Sequence, residues 1–280
     1  MEMLLTITIT DYIWLTGLVL LGYWLLNTSL GTKALADSPP RRNNMPPYLP
    51  LIPLLLWFGG VAIVVSLVQI LTPSLHGWQK IFEDHIVMSI GAVVTMAVMM
   101  VLAHFHFARR LKGFGLNIKT IIKDFFMAIL NLLAAWPLIL AAVTLTIFIA
   151  KLFSGPGYEM QPHQQLEMIT EYHQLPLRIM IVFVAVVIAP LLEEMLFRGF
   201  VQTAIRSVIN IKSAWPAIAV SSAFFAMMHA NPAHWPALFV LGVCLGYSYE
   251  KSGSLFRPIF IHLFFNAFSV TTVLFQAGSS

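Results

Sequence analysis

Eight stretches of this chain are apolar over about the length that crosses a bilayer, and no other feature restricts its folding so strongly. A span takes about 20 mainly apolar residues. The runs extend from about Tyr12 to Leu30, Tyr48 to Leu71, Ile86 to His106, Ile121 to Leu152, Leu177 to Phe200, Ala214 to Ala230, Trp235 to Tyr249 and Leu255 to Phe275. Charged residues make up only 10% of the chain, against about 25% in ordinary globular domains. A soluble protein of this size could not keep so little charge and stay dispersed. The expected fold is therefore all-α, a polytopic membrane protein of about eight transmembrane helices.

The fourth run is too long for one upright helix. Its approach, LKGFGLNIKTIIKDF, alternates basic and apolar residues and suits a membrane surface. The seventh is short and is expected to begin earlier. The longest polar loop of the second half, SGPGYEMQPHQQLEMITEYHQL, precedes the fifth run. The first twelve residues, MEMLLTITITDY, have no basic region and carry Glu2 and Asp11, so the first run is expected to stay as a span. No repeat and no long linker divides the chain. It reads as a single membrane domain, with scaffold helices over residues 1–175 and polar motifs over 176–270.

The net charge of +4 carries no nucleic-acid signal, because the basic residues lie in short loops. Lys33, Arg41 and Arg42 follow the first run, Arg109, Arg110 and Lys112 the third, Arg206 and Lys212 the fifth, and Lys251 and Arg257 the seventh. The alternate loops are poorer in positive charge, and the one after the fourth run holds Glu159, Glu167 and Glu171. Since positive loops face the cytoplasm, eight spans with both termini outside fit this alternation.

One run is charged in its interior. IMIVFVAVVIAPLLEEMLFRGF contains two carboxylates and a guanidinium, each costing at least ~2.5–3.5 kcal/mol in a bilayer centre. Glu194 and Arg198 are four apart on one helix face and can neutralise each other. Glu193 lies about 100° around the helix, where positions three and four residues on are Leu196 and Phe197. It needs a partner from another helix, and desolvation should raise its pKa toward that of a general base. Pro190 removes a backbone donor one turn earlier and can kink the helix and admit water.

Partners are available in the later runs. Phe225 and His229 are four apart in SSAFFAMMHA, and His262 and Asn266 are four apart in IHLFFNAF. Glu193, His229 and His262 could bind a divalent metal such as zinc, or position a water directly. Asn266 could donate to a developing oxyanion. On straight antiparallel helices, however, His229 and His262 fall on opposite sides of Glu193, about 12 Å apart in depth at ~1.5 Å per residue. Pro190, Pro216 and Pro258 offer the bends that would close that gap.

Other polar residues read as structural. His104 and His106 end the third run as interfacial side chains. His76, His85, His163 and His173 are loop residues without metal-site spacing, and His234 is a supporting neighbour of His229. Cys244, the only cysteine, reads as a small buried hydrophobe, and Gly242 and Gly246 as a close helix contact. The chain has no HExxH, GxSG or GxGD motif.

APLLEEMLFRGF carries EExxxR, FAMMH carries FxxxH, and HLFFN carries HxxxN, in that order. Over about Pro176 to Phe268 the chain thereby resembles the CPBP family of intramembrane proteases. These are the CAAX prenyl proteases of the Ras-converting type and bacterial relatives linked to bacteriocin self-immunity. The resemblance implies an all-helical membrane bundle with a water-filled cavity open to the cytosolic side. It implies Glu193 as the base that activates water, with His229, while His262 and Asn266 bind a metal or stabilise the oxyanion. Glu194, Arg198 and Phe225 would support them. Relatives are classed with metallopeptidases, so zinc on Glu193, His229 and His262 belongs to the expectation. The implied partners are the lipid bilayer and a membrane-associated peptide or protein substrate, in a bacterial-type inner membrane. The rival reading is a non-enzymatic membrane protein, either a proton-coupled transporter using Glu193 or a scaffold. A proton relay gives no reason for Asn266 to stand four residues after His262.

Overall fold

The computed structural model describes residues 9–27, 35, 38–161, 164–209 and 213–279. Lys33, His163, Lys212 and Glu2 lie outside them, as does the end of the first predicted run, 28–30. The described residues form ten helices and no strand. In order these are α1 (Ile9–Asn27), α2 (Leu51–Leu71), α3 (Trp78–His106), α4 (Arg110–Phe114) and α5 (Ile121–Ser154). They are followed by α6 (Gln164–Glu171), α7 (Leu175–Val208), α8 (Trp215–Met227), α9 (Trp235–Ser252) and α10 (Phe256–Ser279).

Each of the eight predicted runs falls on one of these helices. Five stretches are long and apolar enough to cross a membrane: Leu51–Leu71, Trp78–His106, Ile118–Ser154, Leu175–Val208 and Phe256–Phe275. The chain is thus polytopic. Its outer surface is what only lipid accepts, with Leu26, Ile70, Leu71, Phe105 and Ile122 among its exposed large side chains.

Two expectations need correction, and two others become specific. The fourth run is one helix, α5, of 34 residues, about 50 Å long and so longer than an upright span. The basic approach to it forms the separate α4 and a turn of 3-10 helix, Ile118–Thr120. The sixth is shorter than drawn. At 13 residues, α8 rises about 20 Å against a hydrocarbon core of ~30 Å, because the chain turns at His229–Pro232. The seventh has its α-helix from Trp235, led in directly by a turn of 3-10 helix at Pro232–His234. Finally, His85 is no loop residue. It is buried in α3, with Nδ1–H donating to Ile81 O at 2.8 Å.

Proline in a helix leaves a carbonyl without its donor, and the fold handles that openly in α5. Pro137 frees the carbonyl of Leu133, and Gly17 of α1 packs directly on it. A Cβ at Gly17 would stand 2.5 Å from Leu133 O. Gly242 and Gly246 make the close contact their spacing predicts. A Cβ at Gly242 would meet Ser222 of α8 at 2.9 Å, and one at Gly246 would meet Gln202 of α7 at 2.6 Å.

The element at the centre is α7. Its Leu192, Met195, Leu196, Phe197 and Phe200 join Phe107, Phe114, Phe225 and Tyr249 in the largest buried cluster. It is not a uniform α-helix. Wider π-helical turns occupy Val184–Ile188 and Met195–Gln202, on either side of the α-helical Ala189–Glu194. Such turns are rare and concentrate at functional sites.

Candidate active site

Glu193 and Glu194 sit between those two π-helical segments, one turn after Pro190. Their surroundings differ. Glu194 is fully buried and meets Arg198, also fully buried, at 3.0 Å. Arg198 reaches on with Nη2 to Gly242 O at 3.2 Å, and Gln202, four residues later, donates to Gly246 O at 3.2 Å. Donors spaced by four on α7 thus meet glycine carbonyls spaced by four on α9. Absent side chains at the two glycines let the polar heads come that close.

His262 of α10 joins the two carboxylates. Its Nδ1–H donates to Glu194 Oε1 at 2.9 Å, and its Nε2 lies 3.8 Å from Glu193 Oε2. The second distance is too long for a hydrogen bond. Glu193 keeps 25% of its side-chain surface exposed. Its Oε2 is nevertheless buried and has no hydrogen-bond partner in the protein. Glu193 therefore presents one oxygen to His262 while the rest of the carboxylate stays accessible. The expected depth gap between Glu193 and His262 is closed.

Phe225 is the hub. Its ring packs edge-on against His229 and His262, with centroids 5.0 and 5.6 Å away. The Arg198 guanidinium stacks 4.5 Å above it and Phe197 lies 5.5 Å away. His229 is fixed by Nδ1–H to Phe225 O at 2.9 Å, and its own carbonyl accepts from Trp235 Nε1 at 2.8 Å. His234 donates from Nε2 to Gln161 O at 3.1 Å. Burial pushes the His234 imidazole down, the Gln161 bond opposes that, and neighbouring His229 adds to the lowering. The two histidines are thus neighbours, as the sequence suggested.

Among the described residues no three His, Cys, Asp or Glu side chains are arranged to hold a metal ion. Glu193, His229 and His262 as they stand do not fit a three-ligand zinc site. Asn266 does not aim its donor at Glu193. Its Nδ2 donates to the backbone carbonyl of Ala185, 2.8 Å away in the first π-helical segment.

Sequence reasoning missed the Glu194–His262 bond, because it gave Glu194 to Arg198 alone. It also missed the Gly242 and Gly246 carbonyls as acceptors. The matched spacing of Arg198–Gln202 and Gly242–Gly246 was the signal available for those.

Fold and site together define a polytopic, all-helical membrane protein with a buried carboxylate–histidine–arginine cluster spread over three motifs. Residues 175–268, about a third of the chain, match the family described as Rce1-like, type II CAAX prenyl endopeptidase Rce1-like. It is also similar to "Putative membrane peptidase YdiL" of Bacillus subtilis (strain 168), 29% identical over 91 residues. That alignment covers 32% of this chain and 36% of the relative, so the chain spans about a third of the length of the curated relative it matches. No solved structure matches.

Proposed function

We propose that this protein is an intramembrane endopeptidase, CAAX-protease-like, that hydrolyses a membrane-associated peptide or protein with water activated at Glu193. The observation that carries this reading is the aim of His262. One ring nitrogen is committed to Glu194 and the other faces the unpartnered Glu193 Oε2 at 3.8 Å. A carboxylate that turns one buried oxygen toward an imidazole, on a side chain that is itself partly exposed, supports a general-base role.

In the proposed reaction Glu193 takes a proton from water as the water oxygen attacks the scissile carbonyl carbon. Charge moves onto the carbonyl oxygen beside His262. The carbon–nitrogen bond then breaks, and the proton held by Glu193 passes to the leaving amine. One water is consumed, and a carboxylate and an amine are formed. Glu194 and Arg198 keep His262 in its tautomer and orientation, and Phe225 seats His229 beside them. The family's description names CAAX prenyl endopeptidases, and a lipid-bearing substrate would be held in the bilayer that holds the site. An opening toward the cytosolic side of an inner membrane is part of this reading, and the distribution of basic loops supports it.

The test is incubation of the purified full chain, in vesicles, with membrane-anchored peptides in ¹⁸O-labelled water. Cleavage with label in the new carboxylate is expected. A chain that cleaves none of the peptides but moves protons across the vesicle, and loses that on Glu193→Gln, is a transporter and not a protease.

A further inference from the structure

Pro190 and Asn266 both act on one backbone carbonyl. In the π-helical segment Val184–Ile188 each amide reaches back five residues, and Ala189 N–H accordingly bonds to Val184 O. The next donor in that register belongs to residue 190, and its acceptor is Ala185 O. Residue 190 is proline and has no N–H. Ala185 is buried, and a buried carbonyl left unpaired costs free energy. Asn266 Nδ2 sits 2.8 Å from that oxygen.

We infer that Asn266 is a positioning residue: it caps the Ala185 carbonyl that Pro190 leaves open, and so sets the register of α10 against α7. The two helices run antiparallel at this contact. Asn266 meets Ala185 at one level, and His262, one turn before Asn266, meets Glu194 at the other. A slip of α10 by part of a turn would break both bonds and carry His262 Nε2 away from Glu193. Proline does two things here. It denies the carbonyl a partner within its own helix, and it thereby reserves that carbonyl for the helix that brings His262.

An oxyanion donor and a helix cap predict opposite behaviour in a double-mutant cycle of Asn266→Ala and Pro190→Ala. Alanine at 190 restores an N–H in register with Ala185 O, so the carbonyl no longer needs Asn266. In the Pro190 background, Asn266→Ala is expected to lower Tm by several degrees. It should also lower kcat by about tenfold or more with little change in KM, since small misplacements of reacting groups are costly. In the Pro190→Ala background, where Ala185 O is already paired within α7, the same substitution should cause little further change in Tm or kcat. Equal losses in both backgrounds overturn the inference. If Asn266→Ala alone does not fold, folding of the double variant shows the same coupling, and failure of both variants to fold counts against the cap. The rate arm rests on the hydrolase reading, whereas the Tm arm does not. A chain without peptidase activity but with a coupled Tm cycle would sink that reading and leave the cap standing.

Discussion

Glu193 and Glu194 are adjacent, and the protein asks opposite things of them. Glu194 is sealed in, bonded to Arg198 and His262, so removing its charge leaves a buried guanidinium uncompensated. Breaking such a pair costs about 3–5 kcal/mol. Glu194→Gln should therefore fold poorly, seen as a large loss of Tm in detergent. Glu193→Gln should keep Tm close to wild type, because no hydrogen bond holds its Oε2 and part of the side chain is exposed. A result with the two reversed would contradict the division of labour. Since the donors are not arranged for a metal, prolonged dialysis against a strong chelator should leave cleavage intact, and restoration by zinc would contradict that. Sequence alone separated the glutamates, because Arg198 stands four residues after Glu194 and only leucine and phenylalanine stand at the matching positions for Glu193. It did not reveal that Asn266 faces Ala185. That contact depends on a π-helical register, which shifts the carbonyl left open by Pro190 from Val186 to Ala185.

Helix by helix, apolar run length located every span, while helix ends were legible only where punctuation was strong. Gly253, in the left-handed region at φ 70°, stops α9, and the His229–Pro232 turn cuts α8 short. Such turns depend on tertiary anchors, here Trp235 Nε1 on His229 O, that run length does not show. The α7–α9 contact is where an element-scale test belongs. Gly246→Ala places a methyl 2.6 Å from Gln202 Oε1 and 3.0 Å from Ile218. Overpacking of this kind costs about 1–3 kcal/mol, and the loss should appear as a lower Tm with reduced cleavage. Gly22→Ala, where nothing lies within 4 Å of the added carbon, should be silent in both. Phe225→Ala should be more severe, by about 3–5 kcal/mol for a buried phenylalanine, because one ring supports His229, His262 and Arg198 together.

Across the whole molecule, charge and lipid-facing surface specify the arrangement. Basic loops alternate with loops poorer in positive charge, so a cysteine introduced at Lys112 in a Cys244→Ala background should be labelled from the cytosolic face only. One at Glu159 should react from the other face only, and the opposite pattern would invert the topology. The carboxylate–histidine–arginine cluster gathers where α7, α8, α9 and α10 meet around Phe225. That is the third of the chain whose motifs were legible from the start, since a charge inside a span is retained only for a reason. The account stands most directly on the water-activating role of Glu193. The decisive measurement is the cleavage rate of a membrane-anchored peptide by the wild-type chain and by Glu193→Gln, reconstituted in the same vesicles and matched for folded protein. Loss of a general base should slow cleavage by about 10²–10⁴-fold with Tm preserved. Cleavage by Glu193→Gln at the wild-type rate would contradict the mechanism outright.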